Sequence, residues 1–201
     1  MKSFHITTEV AYILGALRDG SIDIRKGKNY EVRFGQKNRE WLITLQAMFQ
    51  SSFGYGGTIT KHLGIYYILR ITRKAIVKEI QEFSGFVKPQ SKWGTPRIIK
   101  HQSPSILRWH VRGFFDAEGG TPEDPQKWRY VSFDQKNKES LKFIRNVMIR
   151  FGYTPTNLTF TSSVWQFRLT RNDDLVRFCR WMKPLHPDKR AALRLLAKWL
   201  N

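Results

Sequence analysis

The chain carries one cysteine, Cys179, in 201 residues. A single thiol excludes an internal disulfide framework and leaves a buried core thiol as its expected role, in keeping with a reducing compartment. The histidines, among them His62, His101, His110 and His186, lack the paired spacing of a zinc site, and none is assigned to catalysis. No apolar run reaches the ~20 residues that cross a bilayer, so no membrane partner is expected. No basic-then-apolar leader opens the sequence, which reads as cytoplasmic and nucleoid-associated. Acids are also scarce. Sixteen Asp and Glu face 35 Lys and Arg, a formal net charge of +19. An excess of that size points to a polyanionic partner. What remains is ample for a core, with 41% hydrophobic and 14% aromatic residues.

Two scarce acids stand in a distinctive place. His110-Val111-Arg112-Gly113-Phe114-Phe115-Asp116-Ala117-Glu118-Gly119-Gly120 reads as an apolar helix that ends in an acid followed by two glycines. An acid there opposes the helix dipole and needs a compensating cation. Gly113 and Ala117 stand four apart, on one face, where another backbone can come close. Ala11-Tyr12-Ile13-Leu14-Gly15-Ala16-Leu17-Arg18-Asp19-Gly20-Ser21 is an imperfect copy, and Asp19 precedes Glu118 by 99 residues. By itself an Asp-Gly or Glu-Gly pair is an ordinary turn. The surroundings repeat too. Phe34-Gly35-Gln36-Lys37-Asn38 matches Phe133-Asp134-Gln135-Lys136-Asn137 at the same shift, and Arg70-Ile71-Thr72-Arg73 matches Arg168-Leu169-Thr170-Arg171 at 98. The chain is a duplication, and fused halves are the one-chain counterpart of a symmetric dimer.

Each half reads α-β-β-α-β-β-α. Helix Glu9–Arg18, capped by Thr7 or Thr8, is followed by strand Ser21–Arg25, a turn over 26–29, and strand Tyr30–Gln36. Helix Lys37–Phe49, a hairpin from Thr58–Thr60 to Ile65–Thr72, and helix Arg73–Phe83 complete the half. The second half runs through strand Trp128–Gln135, helix Lys136–Arg150, a hairpin from Asn157–Ser162 to Val164–Thr170, and helices Asp173–Met182 and Asp188–Leu200. The expected division is 1–86, a surface linker over 87–103, and 104–201. The fold class is α+β.

Arg112-Gly113-Phe114-Phe115-Asp116-Ala117-Glu118-Gly119-Gly120 and the element order resemble the LAGLIDADG homing endonucleases in their single-chain, two-motif form. The resemblance covers nearly the whole chain. It implies central packed motif helices whose terminal acids hold divalent metal, Mg²⁺ with Mn²⁺ able to substitute. It also implies saddle-shaped sheets lying in the major groove of double-stranded DNA, and cleavage of both strands with short 3′ overhangs by a monomer. A maturase binding the host intron RNA, or a regulator that binds DNA without cutting it, are the alternatives on the same fold. The first motif is one residue shorter than the second. Counting back from Asp19 aligns Leu14 with Gly113 and Arg18 with Ala117.

On this reading Asp19 and Glu118 are the metal ligands, with the backbone carbonyls of Arg18 and Ala117 beside them. Asp116, two residues from Glu118, is expected to cap or hydrogen-bond. Gln36 and Gln135 end strands in phase with core residues; they face a pocket or close the hairpin, and the resemblance implies that they position water. Arg70 and Arg168 are assigned charge stabilisation, with phosphate binding as the alternative. Outward strand residues should meet bases and phosphates: Asp23, Arg25, Glu31, Arg33, Tyr130, Ser132 and Asp134, with Lys61, Lys127 and Gln166 nearby. Lys37 and Lys136 touch phosphate or are simply exposed. Lys183, Lys189 and Arg190 are expected phosphate contacts.

Overall fold

The computed structural model describes residues 6–25, 29–86 and 89–200. The start of the polar lead (1–5), most of the turn after the first strand (26–28), the first linker residues (87–88) and residue 201 lie outside the described residues. In the first half, α1 (Thr8–Ala16) runs through a short 3₁₀ turn (Leu17–Asp19) into β1 (Gly20–Arg25) and β2 (Asn29–Gln36). Helix α2 (Arg39–Phe53), β3 (Thr58–His62), β4 (Tyr66–Ile71) and α3 (Lys74–Ser84) follow. The second half holds α4 (Pro104–Glu118), β5 (Gly119–Gly120), β6 (Val131–Gln135), α5 (Lys138–Arg150), β7 (Thr159–Thr161), β8 (Val164–Leu169), α6 (Asn172–Met182) and α7 (Pro187–Lys198).

Two antiparallel four-stranded sheets result, ordered β1-β2-β4-β3 and β5-β6-β8-β7. The duplication is visible in their registers. Gly20 pairs with Phe34 and Phe34 with Leu69; Gly119 pairs with Phe133 and Phe133 with Phe167. Helix starts repeat as well. Asn38 and Asn137 cap α2 and α5 by accepting from Trp41 N at 3.2 Å and Ser140 N at 2.9 Å. These Asn caps stop the strand-end glutamines from running straight into helix, so α2 and α5 begin two residues later than periodicity alone suggests. The strand expected from Trp128 begins at Val131, because its partner β5 is only two residues long and leaves Trp128 exposed.

α1 and α4 cross at the centre, backbone against backbone. A Cβ built on Gly15 would stand 2.2 Å from the His110 carbonyl oxygen, and one on Gly113 2.1 Å from that of Tyr12. Gly15 is therefore the counterpart of Gly113, which corrects the alignment of Leu14 with it. The 3₁₀ turn explains how one missing residue is absorbed. Five α-helical residues from Gly113 to Glu118 advance ~7.5 Å, and one α plus three 3₁₀ residues from Gly15 to Asp19 also advance ~7.5 Å. Asp116 plays its expected bonding part in this interface, accepting from the Tyr12 hydroxyl at 2.6 Å and from Leu185 N at 2.8 Å.

The expected surface linker lies largely exposed, as read, but is pinned to the core by buried anchors and acts as a strap. Phe86, Trp93 and Ile99 are all buried, and the Phe86 and Trp93 rings stack at 4.3 Å. Its anchors are separated by Pro and Gly, so no helix or strand period reveals them. Trp93→Ala is expected to lower stability by about 3 kcal/mol in urea unfolding. A loss under about 0.5 kcal/mol would mean that the linker is not pinned.

Candidate active site

The crossing of α1 and α4 places Asp19 and Glu118 at the lip of one cavity of about 280 Å³, with Gln135 and Lys136 at one side and Gln90 and Ser91 of the strap at another. Gln36 donates through Nε2 to Asp19 Oδ2, and Gln135 through Nε2 to Glu118 Oε1 at 3.4 Å. Both strand-end glutamines thus orient an acid. The Gln135 carbonyl oxygen is occupied by Lys136 N at 2.7 Å, which fixes which end of the amide faces the carboxylate.

Two acids in a desolvated cleft repel. Burial raises the Asp19 carboxyl to about 7, against the pull of the Lys189 ammonium. Burial and then the Asp19 charge raise Glu118 to about 7, against Arg18 and Lys189. Both folded-state values lie above those of free carboxyls, so folding favours the protonated forms. The stability involved is whole below about pH 4 and is lost as pH rises through about 7. Glu118→Gln is therefore expected to stabilise the metal-free protein at pH 8 by about 1–2 kcal/mol, or ~2–5 °C in Tm, and to do little at pH 4.5. Buried His110 and His186 have lowered pKa values and slope the other way, but they cancel in the comparison of variant with parent. An equal Tm difference at both pH values would contradict the assignment.

Arg18 supports the site from beneath. Its guanidinium is buried against the Phe86 ring and donates to the carbonyls of Trp93 at 2.6 Å and Gly94 at 2.7 Å. Its own carbonyl accepts from Gln90 Nε2 at 2.7 Å, and the same amide reaches Gly20 O at 3.0 Å. The Arg18 carbonyl expected to be a free ligand is thus already engaged by the strap. That of Ala117 lies in the last turn of α4, where helix geometry supplies no donor.

Arg70 and Arg168 do not line the acid cavity. Arg70 binds Glu31 Oε1 at 2.8 Å; Arg168 donates to Gln166 Oε1 at 2.7 Å and covers the Tyr130 ring at 4.3 Å. Their assignment to the acids is corrected: strand parity turns them to the outer sheet face, where neighbouring polar groups hold them. The other residues expected on that face are placed as follows. Asp23 pairs with Arg25 at 3.0 Å, Arg33 lies opposite Arg70, and Lys61 is exposed on β3. On the second sheet Ser132 donates to Asp134 at 2.9 Å, and Gln166 donates to the other oxygen of Asp134. Ser132 is itself buried, so it braces Asp134 and offers no DNA contact. Lys127 is exposed and Tyr130 half-buried in the loop before β6. Lys37 projects over the Tyr66 ring at 5.7 Å, whereas its repeat partner Lys136 lines the cavity. Lys183 lies at the α6–α7 elbow, and Arg190 spans it, donating to Pro184 O at 3.1 Å. Neither stands on the sheet face; both lie about the start of the last helix, where they are expected as phosphate contacts.

The family model for the LAGLIDADG-like domain matches residues 9–83 and again 105–182. The chain belongs to the LAGLIDADG-like family. Each LAGLIDADG-like match covers one half of the duplication. The homing endonuclease I-ApeI of Aeropyrum pernix is 28% identical over 191 residues, 92% of this chain and 85% of that protein. Among solved structures, I-DmoI in complex with DNA and Mn superposes with a TM-score of 0.65 at 17% identity, over 87% of this chain and 96% of that one. The N-terminal LAGLIDADG domain of DUF199/WhiA superposes at 0.57 and 12% identity, over 90% and 84%. Sequence spacing does not place three contributors beside the acids, two of them outside the matched LAGLIDADG-like segments. Gln90 and the Arg18 side chain act through the strap, whose irregular sequence gives no period. Lys189, expected among the phosphate contacts, donates to Gly119 O, one residue beyond Glu118.

Proposed function

We propose that the protein is a site-specific, metal-dependent double-strand DNA endonuclease acting as a monomer. One observation carries this reading: the two halves bring one acid each into a single cavity, between two sheets whose outer faces are lined with Arg, Lys and hydrogen-bonding side chains. I-ApeI is itself a homing endonuclease, and I-DmoI has been crystallised with DNA and Mn. Both support the same activity here.

The donor set fits a hard divalent cation. The cavity offers two carboxylates that repel each other, with the helix-end carbonyl of Ala117 next in sequence to Glu118. Among the described residues no third acid, His or Cys joins them in a metal cluster. Mg²⁺ accepts such a site because it keeps water and binds phosphate oxygen, and Mn²⁺ can replace it. Asp19 and Glu118 would hold the ion, with Ala117 O beside them. When bound, it would supply charge for the scissile phosphate and acidify an attacking water. The chain's own residues do the remaining work. Gln36 and Gln135 hold the carboxylate rotamers. The Arg18 clamp on Trp93 and Gly94 fixes the end of α1. Arg33, Asp23, Glu31 and Asp134 present donors and acceptors that suit guanine and cytosine edges, and Gln166 suits adenine. The two faces carry different side chains, so the target is a long, partly asymmetric duplex, cut to leave short 3′ overhangs. A cytoplasmic, nucleoid-associated location fits this target and the lone thiol.

Selection for cleavage from a randomised duplex library tests the reading. One extended sequence should be enriched in Mg²⁺ or Mn²⁺ and none in EDTA. Enrichment for binding alone, with no cut products in either metal, would favour a non-cutting DNA-binding regulator.

A further inference from the structure

The LAGLIDADG-like match ends at residue 182, and α7 begins five residues later at Pro187. This last helix nevertheless reaches the acid pair. Its N-terminal turn is fixed to both halves at once. Asp188 accepts from Asn38 Nδ2 at 3.1 Å, two residues beyond Gln36, and the His186 ring packs on Trp41 at 4.9 Å. On the other side Leu185 N binds Asp116 at 2.8 Å, and Lys189 Nζ donates to Gly119 O. Lys189 is half-buried, its stem covered and its ammonium directed at the end of α4. Its charge acts on both Asp19 and Glu118.

The other cations near the cavity are differently engaged. Arg18 is locked into the strap carbonyls through both terminal nitrogens. Lys136 lines the cavity as well, next in sequence to Gln135. Lys189 makes a single side-chain hydrogen bond, to a backbone carbonyl, which an ammonium with three donors and a flexible stem can exchange for a phosphate oxygen.

We propose that α7 is part of the catalytic apparatus and that Lys189 is a catalytic residue, donating to a non-bridging oxygen of the scissile phosphate while negative charge builds there. This rests on the nuclease reading above. The ammonium keeps its protons throughout. Water oxygen bonds to phosphorus and releases a proton to solvent, the bond from phosphorus to the 3′ oxygen breaks, and the departing oxygen takes a proton from solvent. Lys189 supplies positive charge placed in advance, which costs no reorganisation as the reaction proceeds.

The test uses the full chain and its selected duplex, with single-turnover cleavage in Mg²⁺ and equilibrium binding in Ca²⁺. Lys189→Met should slow cleavage by about 100-fold or more, with Kd within about threefold of the parent, as expected for loss of one of many phosphate contacts. Lys189→Arg keeps the charge and the helix contacts, and it should recover to within about tenfold of the parent rate. Cleavage by Lys189→Met at the parent rate would overturn the proposal, as would a rate loss matched by an equal loss of affinity, which marks a mere phosphate anchor. A Lys189→Arg rate as low as that of Lys189→Met with unchanged Tm would also overturn it. Failure of the parent protein to cut would instead sink the nuclease reading itself.

Discussion

Asp19→Asn and Glu118→Gln should each reduce double-strand cleavage by more than about 10³-fold while leaving duplex binding intact or slightly tighter. The expected size follows from the chemistry the acids serve. A phosphodiester is resistant to water because charge accumulates on oxygens already negative, and a cation held in place is the main remedy. Removing one of two carboxylates removes half of the charged ligands for that cation. Binding is expected to survive because the proposed reading has the duplex held by the sheet faces and not by the acids. It can tighten because each substitution deletes a negative charge beside a polyanion. The two variants should be about equally inactive. The 3₁₀ turn delivers Asp19 to the same cavity as Glu118, so the shortened first motif is not a weakened one. Single-turnover rates in Mg²⁺, paired with binding in Ca²⁺, measure both quantities. Retention of full activity by Asp19→Asn would show that the first motif had lost its role.

Gly15→Ala and Gly113→Ala are expected to cost more than about 3 kcal/mol each, and either can leave too little folded protein to purify. The added methyl would meet backbone oxygen at 2.2 Å and 2.1 Å, respectively. A flexible side chain can step aside at small cost, but a helix carbonyl cannot move without displacing the whole α1–α4 contact. That contact also carries both acids, so any surviving fraction should cleave poorly. Gly94→Ala is the matched control, since nothing lies within 4 Å of its added Cβ. It should change stability by less than about 0.5 kcal/mol in denaturant melts. Gly15→Ala as stable as the parent would mean that the helices do not touch as closely as described.

Much of this was legible before the structure. The duplication, the sheet-and-helix order of each half and the paired acids follow from co-linear matches that a chance sequence does not keep over a hundred residues. Strand alternation puts Gln36 and Gln135 in phase with the core residues, and each donates to an acid. Parity alone is also where the reading went astray. It names a face but not a neighbour; Arg70 and Arg168, assigned charge stabilisation from the family resemblance, are held on the outer face by Glu31 and Gln166. It put Ser132 in solvent, when Asp134 covers it. Counting back along the first motif assumed a constant rise per residue. The tighter 3₁₀ turn breaks that assumption and moves the counterpart of Gly113 from Leu14 to Gly15. The strap defeated pattern reading for a different reason. Phe86, Trp93 and Ile99 are single anchors in an irregular backbone, and their burial depends on a cleft that other parts of the chain create. Lys189 illustrates the general case. Its contact with Gly119 spans 70 residues, and no local spacing foretells it.

The central claim is that one acid from each half, acting with a divalent cation, cuts both strands of a defined duplex. Its most direct test is the fate of the selected target, end-labelled on both strands, with the parent protein in Mg²⁺, in EDTA, and with Glu118→Gln in Mg²⁺. Scission of both strands at staggered positions that leave 3′ extensions should occur in the first reaction alone. Tight binding in all three with both strands intact, in Mn²⁺ as well as Mg²⁺, would contradict it.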